Sequence, residues 1–145
     1  MQQMRNRLWL ITALGLALGC SPVLGQTSEQ VAAAKNLLQE VAVSDLAARA
    51  SGLVAGAPRE EQTNVLTAVL AVVVERKAAA VPPTVAAVAL RTPVLAPAAA
   101  ATACRALPQS AVAIARAIAR VPSLNREAVR TAIVAVVPDQ ASAIA

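Results

Sequence analysis

An all-α fold is predicted by three features of this 145-residue sequence: abundant alanine, few glycines, and prolines that divide the chain into short apolar segments. Alanine has the highest helix propensity, and after residue 25 the only glycines are Gly52 and Gly56. A proline is tolerated in the first turn of a helix, so each one can mark a new start. We therefore expect short antiparallel helices punctuated by prolines, in a compact bundle or a small α-solenoid-like array.

Residues 1–25 are predicted to be an export signal, followed by a single helical domain over 26–145. Arg5 and Arg7 supply a positive start, and residues 8–18 supply an apolar stretch. Cleavage after Gly25 is one interpretation. A second is a lipoprotein signal over 1–19, because residues 16–20 resemble a bacterial lipobox and would make Cys20 the lipidated residue. A third is an uncleaved anchor. We expect an exported protein, periplasmic or secreted, with membrane anchoring as a lipoprotein as the alternative.

Two helices are expected directly after the signal. Thr27 or Ser28 can cap the first helix, since a side-chain oxygen at that position accepts from a free backbone N–H. Residues 44–45 (Ser-Asp) can start the second helix in the same way. Gly56 and Pro58 are expected to end it.

The third helix is expected to be the central buried one. Pro58 lies at its predicted start, and residues 65–74 are apolar on nearly every side. The β-branched residues 72–74 also suit a strand, but no second strand-like segment offers a partner, so a helix is favoured. Pro82 and Pro83 are expected to stop it.

A weak internal repeat is predicted from residue 83 onward. Its units begin at Pro83, Pro97, Pro108, Pro122 and Pro138, at intervals of 14, 11, 14 and 16 residues. These units are similar in logic to helical-repeat arrays, although they match no named repeat family. The residues from Thr92 to Leu95, which include Pro93, are expected to form a turn.

Composition argues against most catalytic sites. The chain has no His, Tyr or Phe, so a His-based triad, a His-ligated zinc and an aromatic platform for nucleic-acid bases lack their residues. No catalytic residue, metal ligand or cofactor is therefore predicted. An enzyme that uses two facing carboxylates stays as a third alternative. The carboxylates are Glu29, Glu40, Asp45, Glu60, Glu61, Glu75, Glu127 and Asp139.

Basic residues are unevenly distributed. Cleavage after Gly25 removes two arginines and lowers the formal net charge from +5 to +3. Residues 76–126 nevertheless contain only basic charges. In an exported protein this favours an anionic envelope polymer or lipid headgroup over nucleic acid, although scattered charges also serve solubility.

Four arginines form the candidate anion-binding site. Arg116 and Arg120 are four residues apart on one predicted helix, and Arg126 and Arg130 are four apart on the next. Each pair can share a helix face, and antiparallel neighbours would align all four into one strip. Guanidinium groups pair with phosphate or carboxylate oxygens in a bidentate manner. The other interpretation is a solvated helix edge.

Cys104 is the single cysteine that remains after either processing event, because Cys20 is cleaved off or lipidated. No internal disulfide is then expected. Cys104 follows an alanine run, where it would be a small buried apolar residue. An intermolecular disulfide is the alternative.

The functional hypothesis is an exported, non-enzymatic helical protein with a structural or interaction role in a bacterial cell envelope. Its partner is an unidentified protein or an anionic envelope component. The alternative is a peripheral binder of anionic lipid or envelope polymer through the arginine strip, with membrane association only through an N-terminal lipid or the basic surface.

Overall fold

The residues that this computed structural model describes, 23–144, are mostly helical, and none of them forms a strand. Residues 1–22, with most of the predicted export signal and Cys20, lie outside them, as does Ala145. The α-helices in the described range are α1 (Val23–Leu38), α2 (Val43–Gly56), α3 (Gln62–Lys77), α4 (Val81–Arg91), α5 (Ala96–Ala106), α6 (Ala111–Ala119), α7 (Arg126–Val136) and α8 (Ala141–Ile144). Short 3-10 helices cover Ala78–Ala80, Pro93–Leu95, Pro108–Ser110 and Pro138–Gln140. The all-α prediction is confirmed.

Several predicted helix boundaries are wrong by a few residues. α1 begins at Val23, so Thr27 and Ser28 lie inside it and not at its cap. α3 begins at Gln62 because Pro58 lies in the preceding turn, where its carbonyl accepts from the backbone N–H groups of Glu61 and Gln62. α2 ends at Gly56, as the sequence predicts.

Pro82 and Pro83 start a helix and do not stop one. α3 already ends at Lys77, and the two prolines lie in the first turn of α4. Backbone N–H groups in a first turn have no intrahelical acceptor, so a proline there removes no hydrogen bond. α4 begins at Val81, two residues before the start of the predicted unit at Pro83.

The last five α-helices begin at a constant interval of 15 residues, at Val81, Ala96, Ala111, Arg126 and Ala141. This differs from the uneven intervals predicted from the prolines. The reason is that the prolines occupy different positions within the units. Pro83 and Pro97 lie in the first turns of α-helices. Pro108 and Pro138 lie in the 3-10 helices before α6 and α8, and Pro122 lies in the turn before α7.

The junctions before Pro93, Pro108 and Pro138 share one backbone conformation. Their preceding residues are Thr92, Leu107 and Val137, with φ and ψ of −136° and 74°, −137° and 74°, and −129° and 69°. A proline disfavours the α conformation in the residue before it, which ends each helix. Each of the three N–H groups still donates to the carbonyl four residues earlier, so the last helical turn stays closed.

Helices pack chiefly against the next helix but one. α1 contacts α3 and α5 contacts α7, while α2 contacts α4 and α4 contacts α6. α3 carries a large share of the core, as predicted, with Leu66, Ala68, Val69, Leu70, Val72 and Val73 buried. α5 contributes buried alanines, which allow neighbouring helices to approach closely. The core is thus built from small and medium aliphatic side chains.

Gly52 and Gly56 are not a helix-crossing seam within the described residues. A Cβ atom added at either position would meet no atom within 4 Å. Gly52 lies inside α2 and Gly56 ends it.

Candidate arginine-lined groove

The carboxylates of the chain are all exposed. Glu29 and Glu61 line one pocket together with Gln30 and Asn64, so their surroundings are polar. Among residues 23–144, no group of three acidic, Cys or His side chains is placed to hold a metal ion.

The four candidate arginines are distributed between two separate hollows. Arg116 and Arg120 line a groove between α4 and α6, which we call the α4–α6 groove. Arg126 and Arg130 line a hollow between α6, α7 and α8, which we call the α6–α7 pocket. The spacing of four residues thus places each pair at one hollow, but the two pairs do not line a common one.

The α4–α6 groove is open and mainly apolar, with a volume of about 660 Å³. Its walls are alanines, prolines and Val121, and Leu90 stands at its rim with 62% of its surface exposed. The small side chains on the facing helices leave the space between them unfilled. Among the described residues that line the groove, none is acidic.

Arg116 and Arg120 are both exposed, and no carboxylate within the described range lies within 4 Å of either guanidinium. The α4–α6 groove therefore combines an apolar wall with two cationic groups that face water. Ligand pockets typically have volumes of about 300–1,000 Å³ and join apolar walls to a few polar groups, and this groove fits that description.

The α6–α7 pocket is smaller, about 350 Å³. Its apolar residues include Ile118, Ile133 and Ile144. Arg130 lies 3.7 Å from the carboxylate of Glu127, one helical turn earlier, with about half of its side chain exposed. Exposed pairs of this kind contribute little stability, so both groups stay available to other partners.

Arg76 is a structural arginine whose role the sequence did not indicate. Its guanidinium donates to the backbone carbonyl of Leu38, at the end of α1, and through both terminal nitrogens at 3.1 Å to the carbonyl of Val41. The last carbonyls of a helix have no intrahelical donors. Arg76 therefore ties the end of α1 and the α1–α2 turn to the end of α3. In the sequence it is one of several basic residues in the stretch 76–126.

Cys104 is a free, fully buried thiol on α5. Burial raises the pKa of Cys104 from 9.0 to about 11, because the thiolate loses its hydration inside the core. Only the thiolate is an effective nucleophile, so the buried Cys104 is a poor candidate for either catalysis or disulfide exchange.

We expect the folded protein to lose stability between about pH 9 and pH 11 as a result of Cys104. A group whose pKa is raised on folding stabilises the native state below its unfolded pKa, and this contribution is lost as the pH rises through the folded pKa. Urea denaturation of the wild type and Cys104→Ala at pH 8 and pH 10.5 measures the difference. Equal pH dependence in the two proteins would contradict a buried, raised-pKa thiol.

No helix in the described range is both long enough and apolar enough to span a bilayer. Comparison with protein-family models, with curated proteins and with solved structures gives no match for this chain.

Proposed function

We propose that the chain is an exported, non-enzymatic helical module of a bacterial cell envelope that binds an anionic lipid in the α4–α6 groove. The observation that carries this proposal is the apolar groove with Arg116 and Arg120 beside it and no acidic residue in its lining. The apolar wall suits a hydrocarbon chain, and the guanidinium groups suit a phosphate.

We also propose that the helices form a small repeat array, and that the prolines separate its units. The 15-residue interval between helix starts and the contacts of each helix with the next but one support this arrangement. In repeat arrays, each unit buries its apolar face against its neighbours, which leaves grooves between successive helices available for ligands. The α4–α6 groove lies between two helices of this array that pack side by side, α4 and α6.

The charge of the groove favours an anionic occupant. Its lining comes from residues 82–122, within the stretch that has only basic charges. A negative headgroup in this groove therefore meets two arginines and no repulsive carboxylate from the lining. Residues 1–25, as a predicted export or lipoprotein signal, would deliver the protein to a compartment bounded by such lipids.

Co-sedimentation with vesicles tests the proposed lipid binding. We expect the wild type to bind phosphatidylglycerol vesicles at low salt and to bind phosphatidylcholine vesicles weakly. Each basic residue near an anionic surface contributes about 1 kcal/mol, so Arg116→Gln/Arg120→Gln should weaken binding about 30-fold. Added salt should weaken the wild type as well.

Arg49→Gln/Arg105→Gln is the matched control, because both arginines are exposed, neither lines the groove, and the net charge changes equally. This variant should retain most of the binding. Equal losses in the two double variants would indicate general charge attraction and not a groove. Absence of binding to phosphatidylglycerol at low salt would overturn the proposal.

A further inference from the structure

Exposed apolar and acidic side chains flank the turn between α1 and α2. Leu37 and Val43 are each 53% exposed, although the other large aliphatic side chains in the described part of the chain are mostly buried. Glu40 and Asp45 are exposed beside them in sequence. We call these four residues the turn patch.

The backbone of the turn patch is held in place. Arg76 donates to the carbonyls of Leu38 and Val41 within the turn, and Lys35 forms an ion pair of 2.8 Å with Glu75 nearby. The N–H of Val41 also donates to the carbonyl of Leu38. A surface that is ordered before binding loses less conformational entropy when a partner docks, which favours association.

The α6–α7 pocket carries a net positive charge, opposite to that of the turn patch. Its floor is apolar, and its charged lining residues are the exposed Arg126 and Arg130 and one carboxylate, Glu127, which lies 3.7 Å from Arg130. Its volume of about 350 Å³ is large enough to accept aliphatic side chains from a partner. The turn patch presents two such side chains together with two carboxylates.

One molecule cannot place its own turn patch in its own pocket. α1 packs on α3 and α2 packs on α3 and α4, whereas the pocket is formed by α6, α7 and α8, which do not pack substantially against α1 or α2. The matching surfaces are therefore on different parts of the same chain, and their pairing requires a second molecule.

We propose that the α6–α7 pocket binds the turn patch of a second copy of this chain. Leu37 and Val43 of one copy enter the apolar hollow of the next, and Glu40 and Asp45 pair with Arg126 and Arg130 at its rim. The two surfaces differ, so this contact is heterologous, and repeated copies assemble head to tail. This contact uses neither Arg116 nor Arg120, so it is independent of the proposed lipid binding.

Sedimentation velocity of the full chain, expressed with its own leader, tests the proposal. We expect the wild type to associate as its concentration rises to about 100 µM, a range in which weak interfaces are populated. Glu40→Arg/Asp45→Arg and Arg126→Glu/Arg130→Glu should each weaken self-association at least about tenfold, because each places like charges across the contact. An equimolar mixture of the two variants should associate again, because their charges are complementary.

Two controls carry the same charge changes at exposed positions outside both surfaces, namely Glu60→Arg/Glu61→Arg and Arg49→Glu/Arg105→Glu. These variants should associate like the wild type, and circular dichroism should show that every variant is folded. Three results would each overturn the proposal: a wild type that stays monomeric, association that survives both surface reversals, or a mixture of the two reversed variants that does not associate.

Discussion

Leu70→Ala should destabilise the folded protein by about 2–5 kcal/mol. Leu70 lies in the middle of α3 and is 1% exposed, and α3 packs against α1, α2 and α5. Removing its branched end leaves a cavity in the buried core to which Leu70 belongs. The packed backbone around it closes only partly, so the lost contacts are not replaced.

Leu90→Ala is the matched control, because it removes the same atoms from a side chain that is 62% exposed. It should change stability by no more than about 0.5 kcal/mol. Urea denaturation followed by circular dichroism at 222 nm measures both variants, since residues 26–145 contain no aromatic side chain for fluorescence. Similar losses in the two variants would show that α3 is not the centre of the core.

The helical class and the central position of α3 were accessible from the sequence because both depend on local properties. Abundant alanine and scarce glycine favour helix wherever they occur. Residues 65–74 are almost entirely apolar, and only a helix surrounded by other helices can bury most of them. Tertiary context was not needed for either prediction.

The positions of α4 and the later helices were less accessible because a proline can occupy several positions near a helix start. Pro97 is the second residue of α5, whereas Pro108 begins the 3-10 helix before α6. Intervals counted between prolines therefore scatter around the constant interval between helix starts. The repeat is present in the sequence, but the intervals were measured between prolines that do not occupy equivalent positions in the structure.

For the arginine pairs too, local spacing was predictable from the sequence, whereas the packing of distant helices was not. The spacing of Arg116 and Arg120 places them on one helix face, and the structure places both at one groove. Which helix packs beside that face depends on long-range packing. Alanine-rich helices have similar surfaces, so their sequences do not indicate which pairs pack together. Of the four arginines in the predicted strip, one pair lines the α4–α6 groove and the other lines the α6–α7 pocket.

Arg76→Ala should destabilise the protein by about 1.5–3 kcal/mol, the range for hydrogen bonds that involve a charged group. The guanidinium of Arg76 donates to carbonyls 35 and 38 residues earlier in the chain, at Val41 and Leu38. Its removal leaves these carbonyls without that donor and releases the end of α1 from α3. The α1–α2 turn should then exchange its backbone amide hydrogens faster.

Arg105→Ala is the matched control, since Arg105 is an exposed arginine in the last turn of α5. It should leave both stability and the exchange rate in the α1–α2 turn unchanged. Urea denaturation measures the first quantity and hydrogen–deuterium exchange of residues 37–45 measures the second. A loss of stability without faster exchange in this turn would show that Arg76 acts elsewhere. Faster exchange at this turn in Arg76→Ala alone would identify Arg76 as the residue that orders the turn patch, because the mobility of that surface would depend on one side chain from α3.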